Sequence, residues 1–267
     1  MKSINSLLLM LSPLIACSAP PNGGNWNKGD APPPGTAAAG PAGAPMATPG
    51  YEAIEVADAG TINGVVSYGG DKKDALVPID QDKETCGPES LERPSGALLV
   101  KEGKVENVVV YLTGVKTGKP FSSAPVEIDN IQCNFVPRVA IGHKGGQVVA
   151  KNSDPVTHNT NMSLTQNNST IMNSSLKKGA KSRPNKLKKT GLVNVQCDLH
   201  SWMIGRVFVH DSPYAVLTDA TGNFTISDVP PGEYELKTWH EVLGDGPSHP
   251  VVVAANGAIS QDIAFVD

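Results

Sequence analysis

The chain has 267 residues, of which 39% are hydrophobic and 18% are charged, and its formal net charge at pH 7 is −4. This length is enough for one large or two small domains. The mild negative charge argues against nucleic acid as a general partner.

The N-terminus has the features of an export signal. Lys2 supplies a positive charge, residues 7–11 form a short apolar run, and residues 14–16, with the sequence LIA, lead directly into Cys17. The apolar run is too short to span a membrane. The segment resembles a bacterial lipobox, which predicts a signal peptide at residues 1–16 and lipidation of Cys17. An ordinary secretory signal with an incidental cysteine is the alternative.

A lipid on Cys17 would anchor the protein to a membrane without spanning it. Ser18 is not the aspartate of an inner-membrane retention signal, which favours the outer membrane, with the protein facing the periplasm or the cell surface. Residues 17–57 are rich in Pro, Gly and Ala, a composition typical of a disordered or semi-extended tether.

From residue 58 onward the sequence predicts an all-β fold. Short segments rich in β-branched residues are bounded by Gly, Asn, Asp or Pro, as in strands that are joined by turns. No stretch keeps the period of a helix. The candidate strands are residues 61–68, 105–112, 136–141, 147–151, 192–196 and 206–209. A β-sandwich or barrel follows from this pattern.

A candidate metal site is split between two distant segments. Residues 197–203 read CDLHSWM and place Cys197, His200 and Met203 in one short loop after a predicted strand. His158 also follows a predicted strand and can supply a second imidazole. Two histidines, one cysteine and a weak methionine are the ligand set of a type 1 copper site. Zinc accepts the same nitrogen and sulfur ligands and is the leading alternative, although it would leave the methionine unexplained.

The same region resembles the cupredoxins, the family of blue copper proteins. The resemblance covers residues 135–203 and rests on Phe135-x-Pro137, Gly146-x-Val148, Asn152, His158-Asn159 and Cys197-x-x-His200-x-x-Met203. It implies a Greek-key sandwich at residues 58–210 and one copper ion, with a ligand loop as short as that of amicyanin. The strong ligands would be His158, Cys197 and His200, and the axial one Met203, for which Met162 and Met172 compete. Asn159 would brace the cysteine loop by hydrogen bonding.

The remaining cysteines are then Cys86 and Cys133. An exported protein meets oxidising conditions, so this pair is predicted to form a disulfide. Two separate buried thiols, or one thiol that acts as an additional metal ligand, are the alternatives.

Two features near the ligand loop have two interpretations each. Trp202 is either part of a hydrophobic docking patch or a cap that shields the metal. Residues 177–189 carry seven basic side chains with no acid between them. They form either a mobile, solvated loop or a surface that steers an acidic redox partner toward the metal.

Residues 211–267 show a second β pattern. The elements Thr-Asp-x-x-Gly-x-Phe at 218–224 and Pro-Pro-Gly-x-Tyr at 230–234 resemble the carboxypeptidase regulatory-like family, a small transthyretin-type β-sandwich. Residues 60–66 also look like the first strand of such a sandwich. Whether residues 60–113 belong to the cupredoxin-like domain or share a sheet with the C-terminal domain therefore stays open.

The predicted function is single-electron transfer by a lipid-anchored blue copper protein of the cell envelope. Its redox partner would be a cytochrome or an oxidoreductase, and the resemblance to cupredoxins implies that the electron leaves through His200. No second metal cluster or catalytic triad stands out, so the protein is not expected to be an enzyme. Copper binding without electron transfer and a structural or adhesion module are the alternatives.

Overall fold

The computed structural model describes residues 50–87 and 89–267. The predicted signal peptide, Cys17 and residues 17–49 of the predicted tether lie outside the described residues. No helix in the described part is long and apolar enough to cross a membrane.

The described residues form β-strands and one four-residue helix, α1 (Lys83–Cys86), which confirms the predicted all-β class. The strands are β1 (Glu52–Ala53), β2 (Gly60–Tyr68), β3 (Leu76–Pro78), β4 (Glu92–Pro94), β5 (Val100–Lys101), β6 (Lys104–Val105), β7 (Val109–Thr113), β8 (Thr117–Gly118), β9 (Val126–Ile131), β10 (Asn134–Val136), β11 (Val139–His143), β12 (Gln147–Asn152), β13 (His158–Leu164), β14 (Ser169–Leu176), β15 (Asn185–Lys186), β16 (Gly191–Gln196), β17 (Ile204–His210), β18 (Ala215–Leu217), β19 (Asn223–Val229), β20 (Gly232–His240), β21 (Gly244–Asp245), β22 (His249–Val253), β23 (Ala258–Ser260) and β24 (Ile263–Phe265).

The first sandwich contains the candidate metal ligands. One of its sheets has the strand order β11-β17-β16-β13-β14 and the other the order β10-β9-β12-β15. Successive side chains of a strand point to opposite faces. Alternate residues of β16 and β17, such as Val193, Val195 and Val207, are therefore buried against Ile128 and Val148 of the other sheet.

The second sandwich combines strands from both sides of the first in the sequence. β2 pairs with β19, β23 and β24, and β7 pairs with β18 and β20. Residues 60–113 thus share sheets with the C-terminal strands, which answers the question that the sequence left open. The predicted domains at residues 58–210 and 211–267 differ from this arrangement, in which the second sandwich is built from two separate parts of the chain. Local alternation shows that a strand is half-buried, but only long-range pairing decides which core it covers.

The predicted tether also ends earlier than residue 57. Tyr51 is buried, donates a hydrogen bond from its hydroxyl to the Lys119 carbonyl at 2.7 Å, and packs its ring 5.1 Å from that of Phe121. β1 pairs in parallel with β8. A buried aromatic ring and a strand pair explain why residues 50–57 belong to the folded part.

One further segment lies against the first sandwich at the site end. We call residues 76–87 and 89–94 the cap. In it, β3 and β4 pair antiparallel, with α1 between them. Ile79 and Cys86 of the cap are buried in the core of the first sandwich. Cys86 is bonded to Cys133 with a Cα–Cα distance of 5.4 Å, which confirms the predicted disulfide.

Candidate metal centre

Neighbouring strands bring the two predicted ligand segments together. β13 begins at His158, and β16 ends one residue before Cys197. The two strands pair antiparallel, with Asn161 opposite Gln196. The start of β13 therefore lies beside the loop that follows β16. His200 comes from that same loop, so the two ligand segments meet at one end of the first sandwich.

The three strongest candidate ligands converge. The Nδ1 atoms of His158 and His200 are 2.9 Å apart, and the Cys197 Sγ atom lies 3.5 Å from the His200 Nδ1 atom. The three donor atoms lie within 4.8 Å of one another. Both imidazoles are fully buried, and Cys197 is only 4% exposed. One thiolate and two imidazoles in a dry pocket fit the preferences of copper and also those of zinc.

The surroundings favour the charged form of the cysteine. Burial raises the pKa of the Cys197 thiol, whereas hydrogen bonds from the two imidazoles and from backbone N–H groups lower it, and the net pKa is about 6. One of these N–H groups is that of Asn159, which lies 3.3 Å from Sγ. The thiolate is the form that binds a metal.

Asn159 also makes the contacts expected of a residue that braces the ligand loop. Its Oδ1 atom accepts a hydrogen bond from the Asp198 N–H at 3.3 Å, and its Nδ2 group donates to Asn173 Oδ1 at 2.6 Å. Within the loop, the Cys197 N–H donates to the Met203 carbonyl and the Met203 N–H donates to the His200 carbonyl, at 3.2 and 3.0 Å. The loop is closed by its own backbone.

Each candidate ligand histidine has a carboxylate at its outer nitrogen. The Nε2 atom of His158 is 2.9 Å from Asp154 Oδ2, and the Nε2 atom of His200 is 2.8 Å from Asp82 Oδ2. A carboxylate accepts the Nε2 proton, so the Nδ1 atoms are the ones presented to a metal. For His200, burial lowers the pKa, but the hydrogen bonds with Cys197 and Asp82 outweigh burial and raise it.

Sequence reasoning missed both carboxylates. Asp154 lies four residues before His158, and this spacing was a usable signal. It is buried, and it also accepts hydrogen bonds from the N–H groups of Gln132 and Cys133 at 2.6 and 2.8 Å. Asp82 lies 118 residues before His200 and had no local signal.

The three candidate axial ligands lie on different elements of the first sandwich. Met203 is buried and belongs to the ligand loop. Met162 lies four residues along β13 from His158, about 13 Å at the rise of a strand. Met172 pairs directly with Met162 across β13 and β14, and its sulfur accepts a hydrogen bond from Asn185 Nδ2 at 3.1 Å. Met203 therefore belongs to the ligand loop itself, whereas Met162 and Met172 lie on the paired strands β13 and β14.

Trp202 faces inward. It is buried, its Nε1–H donates to the Cys133 carbonyl at 3.1 Å, and its ring lies 5.1 Å from that of His200. Trp202 therefore shields the site and does not form an exposed docking patch. The disulfide also removes Cys133 from the possible thiolate ligands.

The basic run of residues 177–189 does not form one surface. Its first lysines follow Leu176, which pairs with His158, so they lie at the site end of the sandwich. Lys186, Lys188 and Lys189 line a cleft with Leu164, at the other end of β13, about 20 Å away. A single patch that steers a partner to the metal is not supported.

Comparisons with known proteins give one family model. The model describes domain II of polysaccharide lyase family 4, and it matches residues 189–261. This family differs from the carboxypeptidase regulatory-like one suggested by residues 211–267, although both describe small β domains. A comparison with curated proteins gives no match.

Solved structures give partial matches. The solved structures that resemble part of this chain include cupredoxins. A Cu-containing nitrite reductase from Thermus scotoductus SA-01 is 21% identical over 38% of this chain and 25% of its own, with a TM-score of 0.31. A purple cupredoxin from Nitrosopumilus maritimus is 22% identical over 32% of this chain and 98% of its own, with a TM-score of 0.28. Amicyanin from Paracoccus versutus is 16% identical over 38% and 96%, with a TM-score of 0.29.

The chain spans about a quarter of the length of the nitrite reductase. Because the identities are below 25% and the TM-scores below 0.5, the function has to be inferred from the donor atoms of the site itself.

Proposed function

We propose that this chain is a copper protein that carries single electrons and is not itself an enzyme. The observation that carries the proposal is the convergence of the Cys197 sulfur with the Nδ1 atoms of His158 and His200 in a buried pocket. These three residues would hold the ion, and Met203 of the same loop would add its thioether. When bound, copper supplies one-electron chemistry between Cu(II) and Cu(I) at such a site.

The residues of the chain support this role in two ways. The ligands sit on a paired strand and on a loop closed by its own backbone hydrogen bonds, so the fold itself positions the donors and would resist change between oxidation states. Full burial of both imidazoles keeps water away from the donors. A preorganised, dry site favours fast electron transfer, because its geometry has to change little between oxidation states.

The donor set favours copper over zinc. Structural zinc sites have four nitrogen, sulfur or oxygen ligands, usually with two or more cysteines. The only free cysteine among the described residues is Cys197. Met203 of the same loop offers a thioether, which suits copper because soft thiolate and thioether ligands select it.

Copper binding without electron transfer is the second candidate, and one observation favours it. His200 is fully buried and lies behind Asp82, so no imidazole edge is exposed to a partner. A redox partner, a cytochrome or an oxidoreductase, would then have to approach across the cap.

The proposed location is the cell envelope, with Cys17 lipidated and the folded part facing the periplasm or the cell surface. The Cys86–Cys133 disulfide supports an oxidising compartment. Nucleic acid is not among the proposed partners.

The test is spectroscopic. Purified full-length protein is loaded with Cu(II) and examined for an intense thiolate-to-copper absorption and a narrow copper hyperfine splitting. Cys197→Ser should lose both signals, whereas Ser201→Ala, an exposed position in the same loop, should keep them. A Cys197→Ser protein that stays blue, or a wild-type protein that binds only zinc, would overturn the proposal.

A further inference from the structure

We infer that Asp82, which the cap delivers, is a positioning residue that orients His200 and tunes its strength as a metal ligand. The inference rests on the proposed function and goes beyond it, because Asp82 belongs to a segment that lies outside both ligand elements. Its Oδ2 atom is 2.8 Å from the outer nitrogen of a fully buried imidazole.

The backbone at Asp82 is shaped for this contact. Its φ and ψ angles are 45° and 41°, a left-handed conformation that is uncommon for residues other than glycine and is tolerated best by Asn and Asp. Asp82 stands at the start of α1, where an aspartate side chain usually accepts a hydrogen bond from the helix. Here the side chain makes no such bond, and the backbone carbonyl serves Thr85 and Cys86 instead. The carboxylate is therefore free to reach His200.

The cap is held in place by one turn of the first sandwich, residues 132–133. The disulfide joins Cys86 to Cys133, and the Arg93 guanidinium donates to the Gln132 carbonyl at 3.1 Å. The N–H groups of the same turn donate to Asp154, the partner of His158. One turn thus connects the carboxylate partners of both ligand histidines.

This arrangement has a chemical consequence. A carboxylate on the outer N–H of a ligand imidazole makes the other nitrogen more basic, and loss of such a partner typically weakens metal binding by 10- to 100-fold. The added negative charge stabilises Cu(II) more than Cu(I), because the attraction scales with the charge of the ion. The Asp82 contact therefore holds the reduction potential down.

The experiment compares three variants of the copper-loaded full-length protein. Asp82→Asn removes the charge, Asp82→Glu keeps it, and Asp80→Asn removes an exposed charge two residues away in the same cap. Cu(II) affinity is measured by competition with a chelator, and the midpoint potential by redox titration. Asp82→Asn should lose about tenfold in Cu(II) affinity. If Cu(I) binding is unchanged, the potential rises by about 59 mV.

Asp82→Glu should restore at least half of both changes, and Asp80→Asn should match the wild type. Equal shifts in Asp80→Asn and Asp82→Asn would indicate a general effect of surface charge and overturn the inference. An Asp82→Asn protein that is less stable but has an unchanged potential would make the residue merely structural, and would overturn it too. Failure of the proposed function is a separate result, because it would appear as a missing thiolate-to-copper band in the wild type.

Discussion

Copper binding should release protons from the site. The number released at each pH should depend on the pKa values of Cys197 and His200. The thiol has a pKa of about 6, so near pH 7.5 it is almost entirely thiolate before a metal arrives. The His200 pKa is raised above its ordinary value of 6.5, so at pH 6.5 this imidazole is more than half protonated. A metal requires both groups without their protons. At pH 6.5, copper should therefore displace more protons from the histidine than from the cysteine.

The sign and size of the effect follow from these values. Each proton displaced by the metal makes the affinity fall tenfold, or about 1.4 kcal/mol, for every pH unit of acidification. Between pH 6 and the pKa of His200, one proton is displaced, and the affinity should change about tenfold per unit. Below about pH 6 the thiol is also protonated, and the slope should approach a hundredfold per unit.

The assay is Cu(II) competition with a chelator of known protonation constants, from about pH 8 to about pH 5. Titration calorimetry in buffers of different ionisation enthalpy counts the released protons directly. Cys197→Ser is the control, because loss of the thiolate removes the leading cause of the raised His200 pKa. Release of a full proton from Cys197 near pH 7.5 would refute the reasoning, as would an affinity that stays flat down to pH 5.

Two further predictions concern the stability of the second sandwich. Burial, with Arg138 nearby, lowers the pKa of His240 to about 4, so the unfolded chain takes up its proton first as pH falls below 6.5. The free energy of unfolding, measured by urea titration, should then drop by about 3 kcal/mol between neutral pH and pH 4. His240→Asn should remove this loss, because the asparagine does not titrate and its amide oxygen can still accept a hydrogen bond. Separately, a methyl group at Gly118 would clash with the buried Tyr214 hydroxyl. Gly118→Ala should lower the free energy of unfolding by about 1–3 kcal/mol. Gly69→Ala, where a methyl group would meet open space, should unfold like the wild type. Equal losses of stability in the two variants would contradict the clash.

Much of this protein is specified by short stretches of sequence. Alternation of β-branched and polar residues, punctuated by Gly and Pro, is a local property, and it was sufficient for the all-β class. The spacing within residues 197–203 is equally local, so the convergence of Cys197 and His200 could be predicted. Elimination among four cysteines was enough to pair Cys86 with Cys133.

Only the tertiary structure decided which core each strand covers and what surrounds the ligands. The pairing of β2 with strands nearly 200 residues later has no local signature, because period-two alternation looks the same in either sandwich. The contact of Asp82 with His200 bridges 118 residues and depends on a left-handed turn and a disulfide-held cap. Burial of His200 beneath that cap is a property of packing. The sequence thus determined which donor atoms meet, and the fold determined how those donors are covered, oriented and charged.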